Sequence, residues 1–384
     1  AGIGLAVPGL VEYEHNRIAE SPNMAISGRD IVTPVAEALG APVVLANDCD
    51  AATMGEKWQG GARHADTAIG IFVGTGIGGG VLVNKKLLRT PKYSVAEVGH
   101  ICLDMNGPVC GCGNQGCLEA LASRTAIEKK LRVSIDVGVK TILPDWLDSK
   151  QPRIRSGMLA KALEAGDSLV TRVLGNAADA IGHACLTFRH LFEPEVFIFG
   201  GGVMEACGDF MCSRIEKVIA RDPFLASRKP TQVVLSSLGD DAGVLGSAVV
   251  AMDHCGWEPF EKTYPPFYPS REINIVDDVV TVGEESFTGD MFIRVNGRSK
   301  ALDRKNSEKR IGGPGKISVK QIKRVCKGGP VQLFIGTESK DQKPSSSVRA
   351  FLKRRAISCE ILEKAEAVEA FGLATDRKAL LMLR

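Results

Sequence analysis

Residues 68–83 read AIGIFVGTGIGGGVLV. An apolar run of strand length, Ala68–Val73, gives way to the glycine-rich GTGIGGG of 74–80, and a second strand, Gly79–Val83, follows. A dinucleotide fingerprint would place a helix after such a turn, so strand–turn–strand argues against that fold. The small residues let a ligand approach the backbone, and Thr75 adds a hydroxyl, so phosphate oxygens would be cradled there. Many glycine-rich turns after strands bind nothing, and this motif alone does not decide the matter.

Outward from this hairpin, residues 1–254 alternate strand-like and helix-like segments. Further strands are expected at Gly2–Val7, Val43–Ala46, Val196–Phe199 and Val233–Ser236. Helices are expected at Ile31–Leu39, Ala51–Gly60, Leu118–Ser123, Gly157–Ala165 and Ser168–Leu191. The alternation predicts α/β layers. In the longest helix Leu169, Val173, Ala177, Ala180, Ile181 and Ala184 recur near helical spacing, so one face packs on a sheet. Between Val133 and Arg155 the periodicity fails, with Pro144 and Pro152 inside, which reads as a surface loop or a short insertion.

A break follows at Trp257–Ser270, WEPFEKTYPPFYPS, where proline is too dense to continue helix or sheet. The division is therefore 1–256, a linker at 257–270, and a second α/β domain at 271–384. In that domain Ile273–Val282, Met291–Val295, Val331–Ile335 and Ser358–Ile361 read as strands. Helices are expected near Val319–Val325, Ser347–Arg355 and Lys364–Gly372, and Asp303–Lys316 reads as a charged loop.

A length of 384 residues suits two domains, and 44% hydrophobic with 24% charged residues is a globular composition. A net charge of +3 does not argue for nucleic acid or an anionic membrane as partner. No apolar run reaches the roughly 20 residues that cross a bilayer, and the opening AGIGLAVPG reads as a strand and turn rather than a leader. Eleven cysteines do not form an evenly laced disulfide scaffold. Cys49, Cys185, Cys207 and Cys255 read as buried apolar side chains in a reducing cytoplasm.

Three other cysteines crowd into residues 110–117 of GHICLDMNGPVCGCGNQGCLE (99–119). His100, Cys110, Cys112 and Cys117 offer the closed nitrogen and sulfur set of a structural zinc ion. Gly111, Gly113 and Gly116 would let the chain turn tightly around it. A redox pair would more usually be spaced Cys-x-x-Cys.

Asn47-Asp48 lies where a strand passes into a helix. Asp48 is either the helix N-cap or, with Asn47 holding a hydroxyl, a carboxylate that takes its proton. Glu97 and Glu119 flank the zinc ligands and are candidate acceptors for a polyhydroxy substrate; otherwise they are a surface charge and a helix N-terminal acid. The glycines of FGGGV (199–203), Gly201 and Gly202 among them, and LGDDAGVLGSAVVA (238–251) would suit an adenine slot or a tight strand–helix junction.

Taken in order, VPG (7–9), ANDCDAATMGE (46–56), GTGIGGG (74–80), EVGH (97–100), CGCGNQGCLEALAS (110–123), FGGGV (199–203) and GDDAGVLGSA (239–248) resemble the ROK family of sugar kinases and repressors. The resemblance implies the actin-like ATPase (hexokinase/ribonuclease H-like) fold. It implies Asp48 as the catalytic base on a hexose 6-hydroxyl, and Asn47, Glu97, His100 and Glu119 as sugar-binding residues. Thr75, Gly76 and Gly78 would belong to a phosphate loop, with ATP and Mg²⁺ as cosubstrate and Zn²⁺ as structural metal. Such proteins commonly form homodimers or tetramers. Two departures stand out. The family's first strands and their Asp-x-Gly-Gly-Thr loop precede the point matched by residue 1, and no Asp-x-Gly-x-Thr occurs in the 384 residues. Around LRTPKYSV (88–95), Lys92 and Tyr93 replace small residues and are expected to alter the grip on the sugar. The segment from about 279 resembles the Mth938-like domain, through Phe287-Thr288-Gly289, LFIGTES (333–339) and ISCEILEKAEAVEAFGLATDRKALLML (357–383); no catalytic residues follow from that.

The leading expectation is a cytoplasmic glucokinase-like hexose kinase with a C-terminal accessory domain. A sugar-sensing regulator, whose helix-turn-helix would lie upstream of Ala1, and a scaffold without ATP chemistry are the alternatives.

Overall fold

The computed structural model describes residues 2–21, 24–147, 152–226, 228–260, 272–276, 279–296, 298–302, 318–327, 329–337, 344–374 and 377–383. The chain divides into two units: Ala1–Trp58, Ala62–Ser236 and Ala242–Pro259 form one, and Gln59–Gly61, Ser237–Asp241 and Phe260–Arg384 the other. Residues 261–270 of the expected linker and the expected loop at 303–316 lie outside the described residues.

In the first unit, β1 (Ile3–Val7) pairs in parallel with β4 (Val43–Asn47), which runs straight into helix α2 (Asp48–Gln59). Between them come a small hairpin, β2 (Leu10–Glu12) with β3 (Arg17–Glu20), and helix α1 (Val32–Leu39). The hairpin was not expected from the sequence, because its strands are too short to display a period. The main sheet has the order β7-β6-β5-β8-β9, with β5 at Ala68–Val73, β6 at Ile77–Val83, β7 at Lys86–Leu87, β8 at Val196–Gly200 and β9 at Gln232–Leu235. β5 is antiparallel to β6 and parallel to β8, so 68–83 is the expected strand–turn–strand, with the turn confined to 74–76.

Helices α3 (Leu118–Ala122), α4 (Arg124–Asp136), α5 (Ser156–Glu164), α6 (Ser168–Phe192) and α7 (Gly202–Ile219) complete this half. In α6 Leu169, Val173, Ala177, Ile181 and Ala184 are buried, as the spacing requires, and Asp167 caps it by accepting from Val170 N–H. The stretch expected as a loop from Val133 begins instead inside α4. Ser123 caps that helix, and Ala126, Ile127 and Leu131 are its three buried residues, a stripe too brief to announce itself. A 3₁₀ turn at Leu143–Trp146 follows.

The last helix of this half, α8 (Asp241–His254), crosses α2 at backbone contact. A Cβ on Gly246 would collide with the Ala51 carbonyl, one on Gly55 with the Ala242 carbonyl, and one on Gly4 of β1 with the Ser247 carbonyl. Within 238–251, Ala242, Gly246 and Ser247 are thus accounted for by packing, whereas Gly239 and Gly243 are not.

The second unit holds a five-stranded sheet of order β14-β13-β17-β15-β16. Its strands are β13 (Met291–Ile293), β14 (Ser299–Ala301), β15 (Gln332–Thr337), β16 (Ser358–Glu363) and β17 (Lys378–Met382). Period-two alternation sends Phe292, Leu333, Ile335 and Leu381 to one face, under α9 (Val319–Val325) and α10 (Ser346–Arg354). Ile293, Phe334, Leu380 and Met382 face the other way, against α11 (Lys364–Leu373) and a three-stranded sheet of β10 (Ile273–Val276), β11 (Val279–Val282) and β12 (Glu285–Phe287). The single strand expected over 273–282 is therefore an antiparallel pair.

The α2–α8 crossing generates a stability prediction. Gly246→Val should lower the unfolding free energy by at least about 2 kcal/mol in urea. Gly243→Ala should not weaken the fold, since its added Cβ meets nothing within 4 Å. Equal midpoints for Gly246→Val and the parent chain would contradict the crossing.

Candidate active site

The site begins at the β4–α2 junction. Asn47 Oδ1 accepts hydrogen bonds from Cys49 N–H (2.9 Å) and Asp50 N–H (3.1 Å), while its Nδ2 donates to the Gly9 carbonyl (3.0 Å). Asn47, rather than Asp48, therefore performs the main capping of α2. Asp48 accepts from the N–H and the side chain of the adjacent Cys49, and it is exposed. The N-cap alternative for Asp48 is thus largely discharged onto its neighbour.

Helix α2 lies against β6. A Cβ at Gly78 would strike the Cys49 sulfur, and one at Gly80 would strike the Thr53 side chain. The glycine at 78 is therefore explained by helix packing, and the turn proper is Gly74-Thr75-Gly76. Gly201 (φ +84) sits against the Val73 backbone, in a conformation that favours glycine. It brings Gly202 and the N-terminus of the long helix α7 beside the turn.

Four donor atoms from His100, Cys110, Cys112 and Cys117 lie within 4.8 Å of one another. His100 Nδ1 is 3.7 Å from Cys110 Sγ, and the sulfurs of Cys112 and Cys117 are 3.8 Å apart. Two thiolates at about 2.3 Å from a tetrahedral zinc would stand about 3.8 Å apart, so the donor set and its spacing fit such an ion. Gly113 and Gly116 take φ of +90 and +73, as a tight wrap requires, whereas Gly111 does not. Burial pushes the Cys117 thiol up to about 12 when no cation is near; a metal ion would reverse that preference. All eleven cysteines are free. Cys185 and Cys207 are buried as expected, while Cys49 and Cys255 are only partly so.

The knot is tied to both neighbours. Glu119, two residues beyond Cys117, accepts from Ile77 N–H at 2.8 Å, and its carboxylate lies over Gly76. The 3₁₀ turn Val98–His100 presses on β6, with Gly99 against the Ile77 carbonyl and Val98 against Gly79. Glu97 opens that turn. Desolvation raises both Glu97 and Asp48 above the ordinary carboxylate value, and in Glu97 the charges of Asp48 and Glu119 add to it while His100 opposes. Both residues keep solvent access on one side; the desolvation comes from the protein packed on the other.

Three participants were missed from the sequence. Asp50 is 1% exposed. Its Oδ2 accepts from Tyr13 O–H at 3.2 Å, and its Oδ1 has no hydrogen-bond partner among the described residues. Burial pushes its carboxyl up to about 7, with Glu97 and Asp48 adding and Tyr13 and Arg89 opposing. Arg89 stacks over the Tyr13 ring at 5.1 Å. Within 88–95 it is thus Arg89 that approaches the acidic group, while Lys92 lies over Tyr93 and accepts from Tyr13 N–H through its carbonyl.

The ROK family model matches residues 1–254. The glucokinase of Thermotoga maritima is 34% identical over 263 residues, covering 66% of this chain and 80% of the relative. The xylose repressor of Bacillus subtilis is 28% identical over 253 residues, and the match spans 66% of this chain but 61% of the repressor. Among solved structures, a ROK glucokinase from Streptomyces griseus in complex with glucose and AMPPNP superposes with a TM-score of 0.59 at 30% identity, covering 66% of this chain and 81% of that one. A ROK transcriptional regulator reaches 0.59 at 27% identity, over 65% of this chain and 62% of its own.

Asp50 generates a pH prediction. Its folded-state pKa of about 7 exceeds the ordinary 3.8, so between those values the native chain holds a proton that the unfolded chain has lost. That group's contribution to stability therefore falls as pH rises through this window, and the cost is complete above about 7. Asp50→Asn should be more stable than the parent at pH 8, by a few kcal/mol at most, and should lose that advantage near pH 4. A constant stability difference across the range would contradict the buried-carboxyl assignment.

Proposed function

The chain belongs to the ROK family, and on that premise we propose that it is an ATP-dependent hexose kinase acting on the sugar 6-hydroxyl. The observation that carries this is Asp48. It stands at the start of α2 with its capping duty taken by Asn47, and Cys49 beside it touches β6 directly beyond the 74–76 turn.

In this reading Asp48 accepts the proton of the attacking hydroxyl. Its raised pKa brings it nearer the range where a carboxylate serves as general base. Asn47, Glu97 and His100 hold the other hydroxyls. Glu119 shares its carboxylate between the sugar and Ile77 N–H, which fixes its direction. Thr75 and Gly76 receive the phosphates, with Gly201 and Gly202 alongside. Magnesium bound with ATP supplies charge neutralisation, and the residues here supply in-line placement. Zinc held by His100, Cys110, Cys112 and Cys117 supplies a crosslink that keeps Glu97, His100 and Glu119 in one geometry.

A cytoplasmic setting and a Mth938-like C-terminal unit belong to the same proposal. The eleven free cysteines support the first; the order of elements after β10 and the run 357–383 support the second. A second reading, a sugar-sensing regulator, is favoured by the repressors that match the same span at similar identity.

Two experiments follow. Asp48→Ala in the full chain should reduce hexose phosphorylation by at least about 100-fold, with the melting curve and metal content unchanged. Turnover close to that of the parent would remove Asp48 as base; a parent that binds sugar without turnover favours the regulator. Cys117→Ser should lower zinc from about one ion per chain toward none, and weaken sugar affinity with it. Chelated protein that stays folded and keeps its sugar affinity would refute the clip.

A further inference from the structure

The 74–76 turn is anchored by α4 through three hydrogen bonds. Arg124 N–H donates to the Gly74 carbonyl (2.9 Å), Thr125 Oγ1 donates to the Thr75 carbonyl (2.8 Å), and Arg124 Nη2 donates to Thr75 Oγ1 (2.9 Å). The last contact is informative. The Thr75 hydroxyl has its acceptor side engaged by a guanidinium, so its own proton is left to point outward, toward whatever occupies the turn.

The charge around Arg124 is not spent. Its side chain is 19% exposed, and its ionic neighbour is Glu128, at 3.7 Å from Nη1. Glu128 is already occupied: its Oε1 accepts from Arg132 at 2.9 Å and 3.1 Å and from Ile154 N–H at 3.1 Å. Two arginines therefore share one carboxylate, which leaves net positive charge beside the turn. Across the site stand Asp48, Asp50, Glu97 and Glu119. A polyphosphate entering next to these carboxylates meets repulsion, and a planar guanidinium with spare donors is the protein group best matched to offset it.

We infer that Arg124 joins Thr75 to complete a clamp for the phosphates of the nucleotide, a role that rests on the kinase reading and adds one residue, Arg124, outside the motifs that carry it. Arg124 would reach the phosphate oxygens with the donors that Thr75 does not use. Thr75 would contribute its hydroxyl hydrogen from the same side. The guanidinium is prepositioned, because its backbone N–H and its Nη2 are both tied to the turn it serves.

The test compares the full chain with Arg124→Met and Arg124→Lys by calorimetric titration with Mg·AMPPNP and, separately, with glucose. Arg124→Met should weaken AMPPNP at least about tenfold, the loss expected for a charge-assisted hydrogen bond. Glucose affinity and the melting temperature should stay at parental values, and Arg124→Lys should recover part of the loss. If the parent binds AMPPNP and Arg124→Met binds it equally well, the clamp is wrong and the kinase reading stands. If both ligands and the melting temperature suffer together, Arg124 only supports the turn, and the clamp is likewise wrong. A parent that binds glucose but no AMPPNP overturns the kinase reading and the clamp with it.

Discussion

Helix α2 lies on β6 at a distance that only a strand stripped of side chains permits. Gly70, Gly78 and Gly80 face Cys49 and Thr53, and on its far side α2 meets α8 through Gly55 and Gly246. Glycine in a strand interior costs conformational entropy and gives up packing area. Several in one hairpin are tolerated here because larger residues would drive α2 outward. With α2 so placed, the β4–α2 junction is carried to the rim of the β5–β6 turn. The position of Asp48 is thus a consequence of backbone contacts made well inside the unit.

The same closeness creates an electrostatic problem. Asp48, Asp50, Glu97 and Glu119 act on one another's titration or share one loop system, and the protein packed against them removes part of the water that would screen them. Each carboxylate is handled differently. Glu119 is stabilised by a backbone N–H, Glu97 faces His100, Asp48 keeps solvent, and Asp50 is driven toward its neutral form with Tyr13 donating to it. Asp50 departs most from ordinary chemistry, since a buried carboxylate without a cation partner is among the costliest groups a protein carries.

How much of this was legible follows from the range of each signal. The strand–turn–strand at 68–83 and α6 could be read because each carries its own period over enough residues. The His/Cys knot could be read because four candidate ligands and four glycines fall within the eighteen residues 100–117. Asp48 was visible, but its freedom was not: that depends on Asn47 turning its Oδ1 onto the helix and its Nδ2 onto Gly9, a contact across 38 positions. Asp50 showed only as one more acid, and its burial depends on Tyr13, 37 residues away. Arg124 follows an N-cap serine and reads locally as a solvent-facing helix residue. The glycines of 74–80 were legible as a group but misleading in part, because Gly78 and Gly80 serve α2, Gly79 meets Gly70 and Val98, and only Gly74 and Gly76 border open space or the Glu119 carboxylate.

The His/Cys knot and the 74–76 turn are therefore one mechanical element. Cys117 is the last of the four ligands, α3 begins at the next residue, and Glu119 on its first turn grips Ile77 N–H. Past Ser123, Arg124 and Thr125 grip Gly74 and Thr75. The turn is thus held at both ends by one stretch, 117–125, whose start is fixed by the knot. A strain at the sulfurs reaches the turn through two short helices and four hydrogen bonds, without a flexible link between them. If an ion is held there as proposed, its loss would release Cys117, and with it the register of Glu119 on Ile77. The sugar and phosphate contacts of the proposed kinase would then loosen together, because both would hang from the same nine residues.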